Sequence, residues 1–519
     1  MGMNTGDPAA APAAPDRPPA TTRRATLTAV LADPAHATAG RLRALGGTAD
    51  GLEVRADVVG DLDPAGLRRH FAGALTYALR PRARGGCFAG GTAERRARLL
   101  GAAARYDLVD LQWPDDIVPE LLAGIPPRQR RISWHGPATA ADGLRELLGR
   151  MLSAPAACYV VAPQGATAED AVATVAFLAG LHRTDVTAYT TGPSCTWSRI
   201  LAPWLAAPVV FGHLGDDGPD ADGMPCVGRL VTDYGLPHLP RLSRLHGIVG
   251  GSPHRSAAPR LNNAAYRALG LPALFLPFPV DSLRRFWPVM TGPRLAAAGL
   301  PLRGVTVTSP HKEAALDLAD EVRPVARRCG AVNILWRAED GPWQADSTIC
   351  VLRALARVGV DPGGRSVAVV GCGGAGRAAA AVLQQAGAAV TVVNRGRVRG
   401  CDASRLLGAD YVPLHRFSPR GHAVLVHATP LTERIPFPMT HARPDAVVLE
   451  MPYRSSPTPL MAAARARGLR SVDGWDVLRM ELREQFRLMT GQPMPVLPDG
   501  LFADPSEERH HNRPERKAL

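Results

Sequence analysis

Lysine is almost absent from this 519-residue sequence: of 60 basic residues, Lys312 and Lys517 are the two lysines and the rest are arginines. The formal net charge of +13 would suit a nucleic-acid partner. Yet the arginines are spread evenly among alanines, prolines and glycines. They form no basic face, no zinc-finger spacing and no aromatic-studded basic strand, so nucleic-acid binding is not expected. No apolar run is long enough for a helical membrane span. The N-terminus lacks a basic–apolar–cleavage pattern, and cytoplasmic residence is expected. The eight cysteines are scattered without a CxxC pair. That excludes a disulfide frame and a metal site, and no metal is expected. No repeat of solenoid period occurs, and no feature specifies an oligomeric state.

What is present is alternation. The length exceeds what one core supports, and several domains are expected. Residues 1–24 are rich in Pro, Ala, Asp and Thr, residues 505–519 in charge, and both are expected to be disordered tails. Between 25 and 240, eight short apolar runs alternate with Ala/Arg/Leu-rich stretches: Ala25–Leu31, Gly51–Arg55, Ala74–Leu79, Leu108–Leu111, Arg131–Trp134, Cys158–Ala162, Val186–Tyr189 and Val209–Gly212. That rhythm predicts a (β/α)8 barrel. A second α/β unit spans 246–358, opening with the strand Gly247–Val249, and a third spans 359–500.

The third unit carries the clearest chemical signal. The β-branched strand Ser366–Val370 runs directly into Gly371-Cys-Gly373-Gly374-Ala375-Gly376, then an Ala-rich helix to about Gly387, then the strand Ala389–Val393. A glycine fingerprint between strand and helix of a βαβ unit predicts a Rossmann dinucleotide site. Gly371 permits the tight turn, Gly373 lets the backbone approach the pyrophosphate, and Gly376 allows close helix–strand packing, with the helix N-terminus facing the anion. After the second strand, where NAD enzymes place an acidic residue, stand Asn394, Arg395, Arg397 and Arg399. Cations there suit a 2′-phosphate, so NADP is favoured over NAD.

Several further segments form a set. In the second and third units these are Gly250-Gly-Ser-Pro-His-Arg-Ser256-Ala-Ala258-Pro259-Arg-Leu-Asn262-Asn263, Gly304-Val-Thr306-Val-Thr308-Ser-Pro310-His-Lys312, Gly330–Asn333, Ala345-Asp346-Ser347-Thr348-Ile349, Tyr453 with Thr458-Pro-Leu, and Gly474-Trp-Asp-Val-Leu-Arg-Met-Glu481. In the first they are Glu53-Val-Arg55-Ala-Asp57, Ala78-Leu-Arg80, Ser133-Trp-His135, Ala156-Ala-Cys-Tyr-Val160-Val-Ala162 and Ser198-Arg199. Residues 246–500 resemble shikimate and quinate dehydrogenases, and residues 25–240 resemble type I 3-dehydroquinate dehydratases. The order is that of the bifunctional fusions of plants.

The resemblance implies Lys312 as the catalytic acid–base. It implies Ser256, Thr308, Asn333, Tyr453 and Glu481 as substrate contacts, Glu481 standing where the family has glutamine. Two departures stand out. Ala258 replaces one of two carboxylate-binding serines. The family's catalytic aspartate falls on Thr348 or Ile349, two registers being open, and neither is a carboxylate. In the barrel the Schiff-base lysine is Val160, and the acidic residue before the glycine pair is Arg84. No amine means no imine, so the ancestral dehydration is expected to be lost. Glu53, Arg55, Arg80, His135 and Arg199 remain to bind a polyhydroxy acid.

A lone lysine at the motif position in an arginine-biased chain points to a deprotonatable amine, which arginine does not provide. The expected function is therefore an NADP-dependent oxidoreductase acting on a small cyclic hydroxy or keto acid. Two alternatives are a catalytically inert ligand sensor or regulator, and a lysine-free elimination through His135.

Overall fold

The computed structural model describes residues 23–215, 220, 222–454 and 456–502. Residues 1–22 and 503–519, which hold nearly all of both expected tails and Lys517, lie outside the described residues. Arg23 and Arg24 do not belong to a structureless tail: they pair antiparallel with His238–Leu239. Those two strands lie at opposite ends of the first domain's sequence.

The first domain is an eight-stranded parallel sheet curled into a barrel. Its strands are β1 (Thr26–Leu31), β2 (Gly51–Arg55), β3 (Ala74–Ala78), β4 (Leu108–Gln112), β5 (Arg130–Pro137), β6 (Cys158–Gln164), β7 (Val186–Ala188) and β8 (Val209–His213). Neighbours pair in sequence order, and β8 pairs with β1. The remaining seam, between β7 and β8, is bridged by a side chain: Thr187 Oγ1 donates to the Val209 carbonyl at 3.4 Å and accepts from Val209 N at 3.3 Å. Strands buried on both faces read as nearly continuous apolar runs, which is why all eight are visible in the sequence.

Two barrel helices, α1 (Ala168–Ala179) and α2 (Val227–Tyr234), connect the barrel to the second unit. Thr167 and Asp170 form a capping box that starts α1. The second unit is a mixed sheet of β9 (Arg244–Gly250), β10 (Ala273–Pro279), β11 (Leu302–Val307), β12 (Glu321–Val322), β13 (Ile334–Trp336) and β14 (Gln344–Asp346), ordered β10-β9-β11-β13-β14-β12. Helix α3 (Ala258–Leu269) covers one face.

The barrel and this lobe share one continuous apolar core that runs from Leu27 in β1 to Trp343. Trp197, fully buried, meets Phe278 of β10 edge-on at 5.6 Å between ring centroids. Polar ties reinforce the joint. Asn263 Nδ2 in α3 donates to the Asp233 carbonyl of α2 at 3.0 Å. Arg229 of α2 donates to the His254 carbonyl at 2.6 Å, and Arg294 pairs with Glu169.

The third unit is an all-parallel sheet of β15 (Ser366–Val370), β16 (Ala389–Asn394), β17 (Asp410–Pro413), β18 (Val424–His427), β19 (Val447–Glu450) and β20 (Arg470–Val472). Its order, β17-β16-β15-β18-β19-β20, is the doubly wound 3-2-1-4-5-6 arrangement, whose switch point lies between β15 and β18. Helices α4 (Gly374–Gln385) and α5 (Arg397–Leu407) come after β15 and β16 respectively. The last helix, α6 (Gly474–Thr490), belongs to neither unit alone. Val477 packs into the nucleotide-domain core, while Leu482, Phe486 and Met489 return to the substrate lobe. A boundary drawn at 359–500 conceals that return.

Because the barrel and lobe bury one shared core, they are expected to unfold together. Trp197→Ala removes a fully buried indole and should cost about 3–5 kcal/mol. Urea denaturation followed by far-UV circular dichroism should show one transition, shifted to lower urea. Two separate transitions, with the barrel's alone displaced, would contradict the shared core.

Candidate active site

A cleft of about 460 Å³ opens between the substrate lobe and the nucleotide domain. Its walls bring together every residue assigned to substrate in the sequence: Ser256, Thr308, Lys312, Asn333, Tyr453 and Glu481.

Lys312 is placed by backbone hydrogen bonds from three directions. Thr308 N donates to the Val249 carbonyl of β9 at 2.9 Å and His311 N to the Thr308 carbonyl at 3.0 Å, while the Lys312 carbonyl accepts from Val332 N at 2.7 Å. The His311 ring is held by the Val280 carbonyl at 2.7 Å. Burial pulls the Lys312 amine below its ordinary range, against the opposing charge of Glu481. Burial pushes the Glu481 carboxyl up to about 7, with Lys312 pulling it back.

Ser256 precedes α3, and its Oγ accepts from Ala258 N at 3.1 Å. The Asn333 Oδ1 accepts from both the amide and the hydroxyl of Thr348, at 2.8 and 3.0 Å. Of the two residues left open in the sequence, Thr348 faces Asn333, whereas Ile349 packs against the nucleotide-domain core. The chain of contacts continues through Gln485, whose Nε2 donates to Thr348 Oγ1 at 3.1 Å and whose Oε1 accepts from Thr306 at 2.9 Å. Gln485 was missed in the sequence. Its signal was its place four residues after Glu481, on the same helical face.

The glycine loop lies across the cleft. Gly371 adopts φ +115°, a conformation that favours glycine, and its N donates to the Val393 carbonyl at 2.7 Å. A Cβ at Gly376 would stand 1.8 Å from the Gly371 carbonyl oxygen. Gly373 caps α4 with open space where its Cβ would be, and Ala375 lines the cleft. A Cβ on Gly374 would come within 3.0 Å of Lys312 Cβ and 3.2 Å of its Cδ. Asn394 braces the loop, its Oδ1 accepting from Cys372 N at 3.3 Å and its Nδ2 donating to the Gly396 carbonyl at 2.8 Å. Arg395, Arg397 and Arg399 are exposed beside it. Arg377 of α4 bolts the two units together through Glu313, at 2.9 Å, next to Lys312. Under the cleft wall the buried His427 joins Glu450 (3.0 Å) to Thr429 (2.6 Å), a network that no sequence motif marks.

The barrel holds a second, small cavity of about 50 Å³ at the C-terminal ends of its strands. Glu53, Arg55, Arg80, His135 and Arg199 all line it, with Val160, Arg131 and Tyr189. Arg131 was missed, although it shares the inward face of β5 with Ser133 and His135. It is buried between Glu53 at 2.8 Å and Asp110 at 2.7 Å. Arg55 pairs with Asp57 at 2.8 Å, and Arg199 stacks on Tyr189 with 3.8 Å to the ring centroid. Burial and then the charges of Arg80, Arg55, Arg131 and Arg199 hold His135 well below its ordinary range, so it is neutral near pH 7. Its Nδ1 meets the Gln112 amide oxygen at 2.9 Å, not a carboxylate.

Among the described residues no cluster of three or more His, Cys, Asp or Glu is able to hold a metal, and no helix is long and apolar enough to cross a membrane.

Residues 27–239 match the type I 3-dehydroquinase family, and residues 248–335 match the shikimate dehydrogenase substrate binding domain. The chain is 26% identical over 481 residues to the chloroplastic bifunctional 3-dehydroquinate dehydratase/shikimate dehydrogenase of Arabidopsis thaliana, covering 86% of this chain and 78% of that protein. It is 36% identical over 268 residues to the shikimate dehydrogenase (NADP(+)) of Citrifermentans bemidjiense, covering 48% of this chain and 90% of the relative. Among solved structures, the dehydroquinate dehydratase and shikimate dehydrogenase from S. pombe AroM aligns over 93% of this chain and 98% of its own, at 21% identity and a TM-score of 0.40.

With one lysine in the cleft and one near the C-terminus, Lys312 is open to direct titration. Reductive methylation with a 13C label should give two lysine resonances, one of them lost in Lys312→Arg. That resonance should titrate below the ordinary lysine value of about 10.4. A midpoint at or above the ordinary value would contradict the burial of the amine.

Proposed function

Because the chain belongs to the bifunctional type I 3-dehydroquinate dehydratase/shikimate dehydrogenase family, we propose that its second half is an NADP-dependent dehydrogenase. It interconverts a cyclic hydroxy acid of the shikimate type and its keto form. The barrel, on this reading, no longer performs the covalent dehydration. The observation that carries the proposal is the contact of the Lys312 side chain with Gly374, at the head of the nucleotide helix.

The loop fits a dinucleotide. Gly371, Gly373 and Gly376 leave room where any side chain would obstruct the turn or the approach of a pyrophosphate. The α4 N-terminus offers its amides to the anion. Arg395 and Arg397, exposed beyond β16, suit a 2′-phosphate, and several relatives carry NADP(+) in their names. Bound there, the dinucleotide supplies or takes the hydride.

The chain's own part is the proton. Lys312 donates it to the carbonyl oxygen during reduction and takes it from the hydroxyl during oxidation. Its buried position favours the neutral amine more than water does, so the proton leaves readily. Ser256, Thr308 and Tyr453 donate hydrogen bonds to the substrate carboxylate, and Asn333 meets a ring hydroxyl. Ala258 provides no such donor, which leaves the carboxylate with a looser grip.

The barrel reading rests on Val160, which lines the cavity where an imine-forming amine is required. His135, neutral and bonded to an amide, lacks a carboxylate to hold its charged form. The cavity itself retains Arg55, Arg80 and Arg199 for an anionic ligand.

Purified protein should oxidise NADPH in the presence of 3-dehydroshikimate or 3-dehydroquinate. Lys312→Ala should lower kcat by about 10²–10⁴-fold while NADPH still binds, as followed by its fluorescence. Absence of wild-type turnover across both ketones, or full activity in Lys312→Ala, would end this reading. Borohydride added with 3-dehydroquinate should leave the barrel's mass unchanged. A covalent adduct within residues 23–240 would restore the dehydratase.

A further inference from the structure

Resting on the dehydrogenase reading above, we propose that Glu481 is the carboxylate partner of Lys312 in proton transfer, brought in by α6 and not by the loop that carries Thr348. The position beside Asn333 no longer offers a carboxylate. Thr348 stands there, and its hydroxyl is committed to Asn333 and Gln485. Gln485 in turn is committed to Thr306. That run of four side chains is neutral at every pH the enzyme meets, so it orients Asn333 but does nothing to hold an ammonium.

Glu481 lies one turn earlier on the same helix and lines the same cleft as Lys312. Its Oε1 is buried and has no hydrogen-bond partner. A buried acceptor without a donor is costly, and in a cleft it marks a place for a ligand or a moving proton. Lys312 and Glu481 influence each other's titration through space. A substrate oxygen placed between them would complete the set: ammonium on one side, carboxylate on the other.

Other charges do not displace this pairing. Glu313, beside Lys312 in sequence, is engaged by Arg377 at 2.9 Å. Glu484 is engaged by Arg487, and Arg353 stands 3.8 Å from it. Arg454, which lines the cleft beside Tyr453, is engaged by Thr432 and Glu433. Of the thiols, Cys329 acts on Lys312, while Cys350, which acts on Glu481, is itself pushed up to about 12. Both thiols stay neutral near pH 7.

The proton then has a balanced path. In reduction the hydride forms the new C–H bond, one Lys312 N–H bond breaks and the substrate O–H bond forms. Protonated Glu481 returns a proton to the neutral amine, becomes the carboxylate that holds the regenerated ammonium, and is itself reprotonated from water.

Glu481→Gln keeps the shape and removes the charge, and three measurements test the pairing. The Lys312 resonance should titrate at a lower pH in the variant, because the opposite charge that raised it is gone. In wild type, the rate of substrate oxidation should fall as pH drops through about 7, where Glu481 takes up a proton and no longer accepts one from Lys312; in Glu481→Gln that acid limb should vanish. At pH 8, kcat should drop about 10–100-fold with little change in KM, and Glu481→Gln/Thr348→Asp should recover much of it by restoring a carboxylate from the loop beside Asn333. An unmoved Lys312 titration, or an acid limb that persists in Glu481→Gln, overturns the pairing. If wild type does not turn over yet the Lys312 titration moves, the pairing stands and the dehydrogenase reading falls.

Discussion

The close approach of the Lys312 side chain to the backbone of Gly374 is the constraint on which the rest of the structure depends. It brings the head of the nucleotide helix against the lysine of the cleft, so that on the proposed reading cofactor and proton donor meet in one cleft. Such alignment is worth several kcal/mol of a bimolecular barrier when the geometry is held. Here it is held on both sides. Arg377, one turn into α4, reaches across to Glu313 and to the Gly330 carbonyl. The lysine loop is tied in turn to β9 and to Val332. A side chain at Gly374 would press on Lys312 Cβ at 3.0 Å and on Ala331 at 3.1 Å, so the glycine serves the lysine as well as the pyrophosphate.

The barrel enters this arrangement through packing. Its core is continuous with that of the substrate lobe. Asn263 and Arg229 fasten α2 to the segment that leads into Ser256 and α3. The barrel supports the lobe's outer wall, and its removal would expose Phe278 and its neighbours to water. The barrel thus contributes to the stability of the substrate lobe whatever its own cavity does.

The fold was legible where burial is two-sided. Eight apolar runs became eight barrel strands, and Ser366–Val370 kept its bounds to the residue. The glycine fingerprint placed the nucleotide loop because Gly371 and Gly376 answer local steric demands. Contacts between distant segments were not legible. The Arg23–Arg24 strand is two exposed arginines whose partner, His238–Leu239, comes only at the far end of the domain. Helix α6 has an ordinary amphipathic pattern, and nothing in it says that it serves two different cores. The choice between Thr348 and Ile349 turned on which of them meets Asn333, a contact between β-strand ends that local sequence does not encode. Arg131 and Gln485 escaped notice because each takes its meaning from partners on other elements.

The two cavities solve the burial of charge in opposite ways. In the barrel, Arg131 is flanked by two carboxylates and Arg55 by a third, with guanidinium groups that keep their protons at any ordinary pH. Charge there is fixed, and burial together with that charge drives the neighbouring imidazole neutral. The dehydrogenase cleft buries one amine and one carboxyl, neither compensated by a tight ion pair, and burial moves each toward its neutral form. Their titration ranges thereby approach each other, the condition under which a proton passes between groups at little cost. An arginine at position 312 would retain its charge at any ordinary pH, whereas the lysine amine is moved toward its neutral form. In a chain that uses arginine nearly everywhere else, that difference in chemistry is a sufficient reason for the lysine to remain.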